Sequence, residues 1–247
     1  ILKLKFMKSI TKETLVKTQL EEGNKYYVIE NLKKKENIEV VPSIFPKALF
    51  NNKWKSKNGE ADILPLGGVS NTTTVFCKEG DEFSIYKSDR YGFNNPNNQW
   101  ENKKLFWILI GDSFVQGSCV QPGEDFASQI RFLTEQSAIS LGMSGNGPLL
   151  ELASLKEYGL EKKPKIVLWF YFERNDLDDL KKEKKHPVLI RYLKDGFTQN
   201  LNSQQHILDK KLKEYREIVL AAVKQNGIAL LFVDDKYKAN KEIVLIA

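Results

Sequence analysis

The sequence predicts an α/β protein built on a parallel sheet with helices on both faces. Three observations carry that class. Short apolar runs suited to buried strands recur at Leu105–Ile110, Ala138–Leu141, Ile166–Phe172 and Ile228–Val233. Segments with helical spacing separate them, which gives the order β-α-β-α-β-α-β-α. The chain has 247 residues, of which 41% are hydrophobic and 11% aromatic. That is enough to bury a core without staples and fits one large domain, or one domain plus an appendage.

Residues 1–100 read as an irregular, partly β N-terminal extension, and 101–247 as the α/β domain. In the extension, Tyr26–Glu30 and Thr73–Cys77 read as short strands. Glu79-Gly80-Asp81-Glu82 is a turn and Phe83–Lys87 a returning strand, so 73–87 forms a hairpin. The Asn- and Pro-rich Phe93–Asn98 is a loop. Leu105–Ile110 is continuously apolar, as a strand buried on both faces requires. Phe126–Leu133 has helical spacing, and Ala138–Leu141 is the second strand of the domain. Pro148–Tyr158 reads as a helix stopped by Gly159, and Ile166–Phe172 as the third strand. Ser203–Asn226 is the clearest helix. Leu208, Leu212, Tyr215, Val219, Ala222 and Val223 form one stripe, and Gly227 stands at the stop. Ile228–Val233 reads as a fourth strand and Asn240–Ala247 as the start of another helix.

Composition excludes several functions. The longest apolar run, Ile166–Phe172, is seven residues, against about 20 for a membrane-spanning helix. The net charge of +6 comes from 38 basic and 32 acidic residues, a modest excess. The basic runs Lys33–Lys35 and Lys181–Lys185 read as solvated faces. No nucleic-acid-binding signature accompanies them, so no nucleic-acid partner is expected. Two cysteines, Cys77 and Cys119, and two histidines, His186 and His206, make neither a disulfide framework nor a zinc set. The chain starts at Ile1 and stops inside the apolar stretch Ile243–Ala247, so both ends read as cut. An upstream membrane anchor or export signal, and a further C-terminal segment, are compatible with such ends.

In a parallel sheet the ligand site lies beyond the carboxyl ends of the strands. Three strand ends carry residues capable of chemistry. Ser113 comes after the first domain strand, inside Gly111-Asp112-Ser113-Phe114. A tight strand-to-helix turn would hold it exposed, and a helix start favours nearby negative charge. Gly142-Met143-Ser144-Gly145-Asn146-Gly147-Pro148 comes after the second. Such a turn brings backbone N–H groups close to a ligand, or simply connects strand to helix. Glu173-Arg174-Asn175-Asp176 comes after the third. Asn175 offers a side-chain N–H, and Asp176 suits a helix cap. The nearby carboxylates Glu173, Asp178 and Asp179 read as an acidic first turn rather than a metal site.

Ser113, Gly145 and Asn175-Asp176 resemble blocks I, II and III of the SGNH (GDSL) hydrolase superfamily. The phrases Ser88–Pro96, Ile110–Phe114, Leu141–Pro148 and Tyr171–Leu177 resemble a bacterial subgroup of it. The likeness covers about 88–247, and residues 1–87 do not match. It implies a three-layer α/β/α sandwich of flavodoxin-like type. It further implies Ser113 as nucleophile, with the Ser113 and Gly145 backbone N–H groups and the Asn175 side chain as the oxyanion hole. The substrate would be a small-molecule or carbohydrate ester, hydrolysed through an acyl-enzyme with no metal or organic cofactor. The same residues would serve an O-acyltransferase acting on an envelope polysaccharide. Two departures stand out. Arg174 replaces the family's third-block glycine, and no Asp-x-x-His, the family's general-base block, occurs in the chain. A serine without a positioned base is a poor nucleophile. The expectation is therefore either a chain cut before that block or a binding module on the same scaffold.

Overall fold

The computed structural model describes residues 25–50, 63–78, 80 and 82–225, with side chains up to residue 217. It is mixed α/β. The expected elements at Ile228–Val233 and Asn240–Ala247, and the turn residues Glu79 and Asp81, lie outside the described residues.

The first described element is a helix, α1, over residues 25–36. This corrects the strand expected at Tyr26–Glu30. Tyr-Tyr-Val-Ile has high strand propensity, but propensity yields to packing. Ile29 is buried, with Val28 and Leu32 beside it, against Val40 and Val75. Those positions share one helical face, and the charged residues after them stay in water.

β1 (Val40–Pro42), β2 (Thr73–Lys78) and β3 (Phe83–Lys87) form a sheet in the order β1-β2-β3. β1 runs parallel to β2. β2 and β3 are antiparallel, as the predicted hairpin requires, with an irregularity between Val75 and Lys78. A disulfide joins Cys77 on β2 to Cys119, with Cα atoms 4.9 Å apart. The sheet is thereby tied to the segment after Ser113.

The second sheet is parallel throughout, in the order β5-β4-β6. β4 (Trp107–Ile110) is central, flanked by β5 (Ala138–Ser140) and β6 (Ile166–Trp169). Its side chains alternate as a strand demands. Ile108 and Ile110 join a large cluster with Leu149, Leu150 and Ala153 of α4 (Pro148–Ser154). Leu109 joins a second cluster with Val115 of α2 (Ser113–Gln116) and Ala127 of α3 (Phe126–Thr134). The large cluster also takes Leu208 and Leu212 of α6 (Gln205–Gln225), and Val41, Ile44, Leu49, Leu64 and Leu66 from the N-terminal segment. One core thus spans both parts of the chain.

The third strand is shorter than its apolar run, and the helix expected at Pro148–Tyr158 changes winding within its length. The third domain strand ends at Trp169, and Tyr171–Arg174 turn outward into α5 (Asp176–Glu183). α4 gives way after Ser154 to a π-turn over Leu155–Gly159. No helix among the described residues is long and apolar enough to cross a membrane.

Candidate active site at the carboxyl ends of the parallel strands

The turns after β4, β5 and β6 carry Ser113, Gly145 and Asn175. All three are half-buried, while Asp112, Asn146 and Asp176 beside them are buried. Each candidate is therefore reachable from solvent while its neighbours fix the backbone.

Asp112 caps α2, its carboxylate accepting the Phe114 N–H at 3.0 Å. Ser113 is the first residue of the helix, where a backbone N–H has no intrahelical acceptor. α2 has only four residues before Gly117 ends it in the left-handed conformation. One turn sums few peptide dipoles, so the helix start contributes less than the sequence suggests. The approach of β4 to α2 needs Gly111, since a Cβ there would meet the Val115 side chain at 2.4 Å.

The second turn is locked to the first. Gln116 is fully buried, and its Oε1 accepts from the Ser144 N–H at 2.7 Å and from the Ser144 hydroxyl at 2.9 Å. Its Nε2 donates to Ser43 Oγ and to the Tyr86 hydroxyl. Gly145 adopts φ +73°, a conformation that favours glycine. Its N–H has no hydrogen-bond acceptor among the described residues, which is what an oxyanion donor requires.

The helix that follows the third turn reaches back to the second from its last residue. Glu183 of α5 accepts the Gly147 N–H at 2.7 Å and the Leu149 N–H at 2.8 Å, so it caps α4. Asn175 occupies the cap position of α5, yet its side chain makes no cap bond. Its Nδ2 donates instead to Asp179 Oδ2 at 3.2 Å. Asp176, expected as the cap, starts the helix and accepts the Phe172 N–H at 2.6 Å. The rings of Phe114 and Phe172 meet edge to face at 5.3 Å, joining the first turn to the third. Arg174 is exposed.

The Ser88–Pro96 phrase acts as a clamp. Asn95 Nδ2 donates to the Ser140 carbonyl at 2.8 Å, and its Oδ1 accepts the Ser140 N–H at 2.7 Å. A carboxamide thereby covers the free edge of β5. Asn94 donates to the Gln116 carbonyl at the end of α2. Asp89, fully buried, accepts from the Tyr91 and Phe93 N–H groups, Asn95 Nδ2 and Trp100 Nε1.

Two residues without any sequence signal complete the site. Lys47, on a 3-10 turn over Pro46–Leu49, donates to Asp179 at 2.5 Å. Burial pushes the Asp179 carboxyl up, but the hydrogen bonds from Lys47 and Asn175 help bring it below its ordinary value. Glu151 on α4 is fully buried. Burial above all, with Asp176, Glu183 and Asp112 nearby, pushes its carboxyl up to about 8, against a hydrogen bond from Trp169 Nε1. Glycine punctuation and apolar runs mark the turns in the sequence; no local pattern marks Lys47, whose partner lies 132 residues away.

Neither histidine hydrogen-bonds Ser113 among the described residues. His186 packs on Phe50 with ring centroids 5.0 Å apart and accepts the Val188 N–H, while His206 is exposed on α6. No group of three or more metal-ligating side chains that could hold an ion occurs among the described residues.

One family matches part of the chain: a domain of unknown function (DUF4116), over residues 215–247. That span begins within α6 and contains none of Ser113, Gly145 or Asn175. Comparison with curated proteins finds no match. Comparison with solved structures likewise finds none.

Proposed function

We propose that the chain carries the core of an SGNH-type serine hydrolase, acting through an acyl-enzyme on a small-molecule or carbohydrate ester. One observation carries the reading. Ser113, Gly145 and Asn175 lie just past three adjacent parallel strands; Gln116 of α2 binds Ser144, Phe114 packs on Phe172, and Glu183 at the end of α5 binds Gly147. Ser113 Oγ attacks the ester carbonyl. The Ser113 and Gly145 N–H groups and Asn175 Nδ2 receive the negative charge on the carbonyl oxygen. The Ser113 hydroxyl proton ends on the departing alkoxide, which leaves as the alcohol; water then adds to the acyl–serine ester, giving the acid and returning a proton to Ser113 Oγ. The packing of β4 into two clusters, one with α4 and one with α2 and α3, supports a three-layer α/β/α arrangement.

A second reading has its own observation. No Asp-x-x-His occurs in the 247 residues, and neither histidine hydrogen-bonds Ser113 among the described residues. A binding module on the same scaffold needs no base. Reaction of the full-length protein with a fluorophosphonate, which traps only an activated serine, separates the two. Adduct mass on the Ser113 peptide, lost in Ser113→Ala, is the expected result. No adduct, or an adduct kept by Ser113→Ala, refutes the hydrolase.

A further inference from the structure

We propose that Lys47 is a positioning residue for the Asn175 carboxamide, acting through Asp179, so that the N-terminal segment completes the site. What Asn175 does there rests on the hydrolase reading; how it is held rests on contacts alone.

An asparagine at a helix cap ordinarily turns its Oδ1 onto an N–H two or three residues on. Asn175 does not. Its described side-chain bond is Nδ2 to Asp179 Oδ2 at 3.2 Å. That bond consumes one N–H and leaves the other free for a ligand. A carboxamide held this way points only as steadily as its acceptor, and the Asp179 acceptor is fixed. Its side chain is 5% exposed, and its other oxygen receives Lys47 Nζ at 2.5 Å. Lys182 reaches that same oxygen at 3.4 Å from the solvent side, a longer contact from a side chain 61% exposed.

Lys47 is itself braced. Pro46 and Leu49 on its turn are buried. Just before it, the Ser43 N–H donates to the Val75 carbonyl of β2, and Ser43 Oγ accepts from Gln116 of α2. The lysine stem lies against the second turn: a Cβ on Gly145 would come within 3.3 Å of Lys47 Cδ. One side chain from outside the α/β core thus touches the Gly145 turn and fixes the partner of Asn175.

The test reads the carboxamide directly. Protein labelled with 15N-asparagine gives an Asn175 side-chain signal, assigned by its loss in Asn175→Ser. Lys47→Met, with Lys47→Gln as a second variant, is expected to shift that signal. It should also slow fluorophosphonate attachment at Ser113 about tenfold, less than the loss of an oxyanion donor outright. Lys47→Arg, which keeps the charge, should restore both. An unchanged Asn175 signal in both neutral variants overturns the proposal, whatever Ser113 does. An unchanged attachment rate in those variants overturns it for the site. If the signal responds but Ser113 never reacts in the parent protein, the positioning stands and the hydrolase reading falls.

Discussion

Glu151→Gln should make the protein more stable in mild alkali, and the reason is readable in the site. Glu151 is fully buried. Trp169 Nε1 donates to Oε2 at 2.5 Å, while Oε1 has no partner. With Asp112, Asp176 and Glu183 around it, the carboxyl is pushed from 4.5 up to about 8. The folded protein therefore keeps a proton that the unfolded chain releases. With more protons bound in the folded state, stability falls as pH rises. The contribution is whole below pH 4.5 and is lost progressively up to about pH 8. At about 1.4 kcal/mol per pH unit across that interval, the ceiling is about 5 kcal/mol. Glutamine matches the shape without titrating. Urea unfolding of both proteins at pH 5 and pH 8.5 gives the double difference, in which other titrating groups cancel. The variant should gain about 2 kcal/mol or more on the parent between those conditions. Parallel pH profiles would show that Glu151 ionises freely in the fold and would refute the reasoning.

Two more perturbations test the frame around the site. Asp89→Asn leaves an amide NH2 facing two of the four donors that Asp89 accepts from. At about 1–3 kcal/mol per unsatisfied group, urea unfolding should register a loss of about 3 kcal/mol; a loss under about 1 kcal/mol would mean the clamp is dispensable. Replacing Cys77 and Cys119 together by serine frees a loop of 42 residues. Chain entropy puts that at about 4 kcal/mol, read by the same assay. An equally stable double variant would show that the bond constrains nothing.

Much of this architecture is legible in the sequence because it depends on local signals. Leu105–Ile110 is apolar at every position because β4 is covered on both faces, and such a run reads as a buried strand in isolation. Gly111 and Gly145 mark turns that a Cβ would obstruct or strain. Tyr26–Glu30 misleads because β-branched and aromatic residues also suit a helix whose single buried face is Ile29 and its neighbours. The bracing of the site is illegible for another reason. Gln116 to Ser43, Glu183 to Gly147 and Lys47 to Asp179 join residues 73, 36 and 132 positions apart. Each partner alone is an ordinary polar residue, and only the fold selects the pair.

The same bracing eases an electrostatic difficulty. An oxyanion site should not be negative, yet Asp112, Glu151, Asp176, Asp179 and Glu183 crowd these three turns. Each is met by a donor or by its own proton. Asp112 takes the Phe114 N–H, Asp176 the Phe172 N–H, and Glu183 the N–H groups opening α4. Asp179 takes Lys47, and Glu151 stays protonated through neutral pH. On the proposed reading, the carboxylates work as fasteners for backbone N–H groups and helix starts. The field left at Ser113 then depends on the two least ordinary of these arrangements, the lysine lent by the N-terminal segment and the carboxyl that burial keeps neutral. A neutral N–H fastens a carboxylate without cancelling its charge, so a substrate oxygen gaining charge there meets three uncompensated carboxylates rather than five, and losing either arrangement would add one full charge within the same cluster.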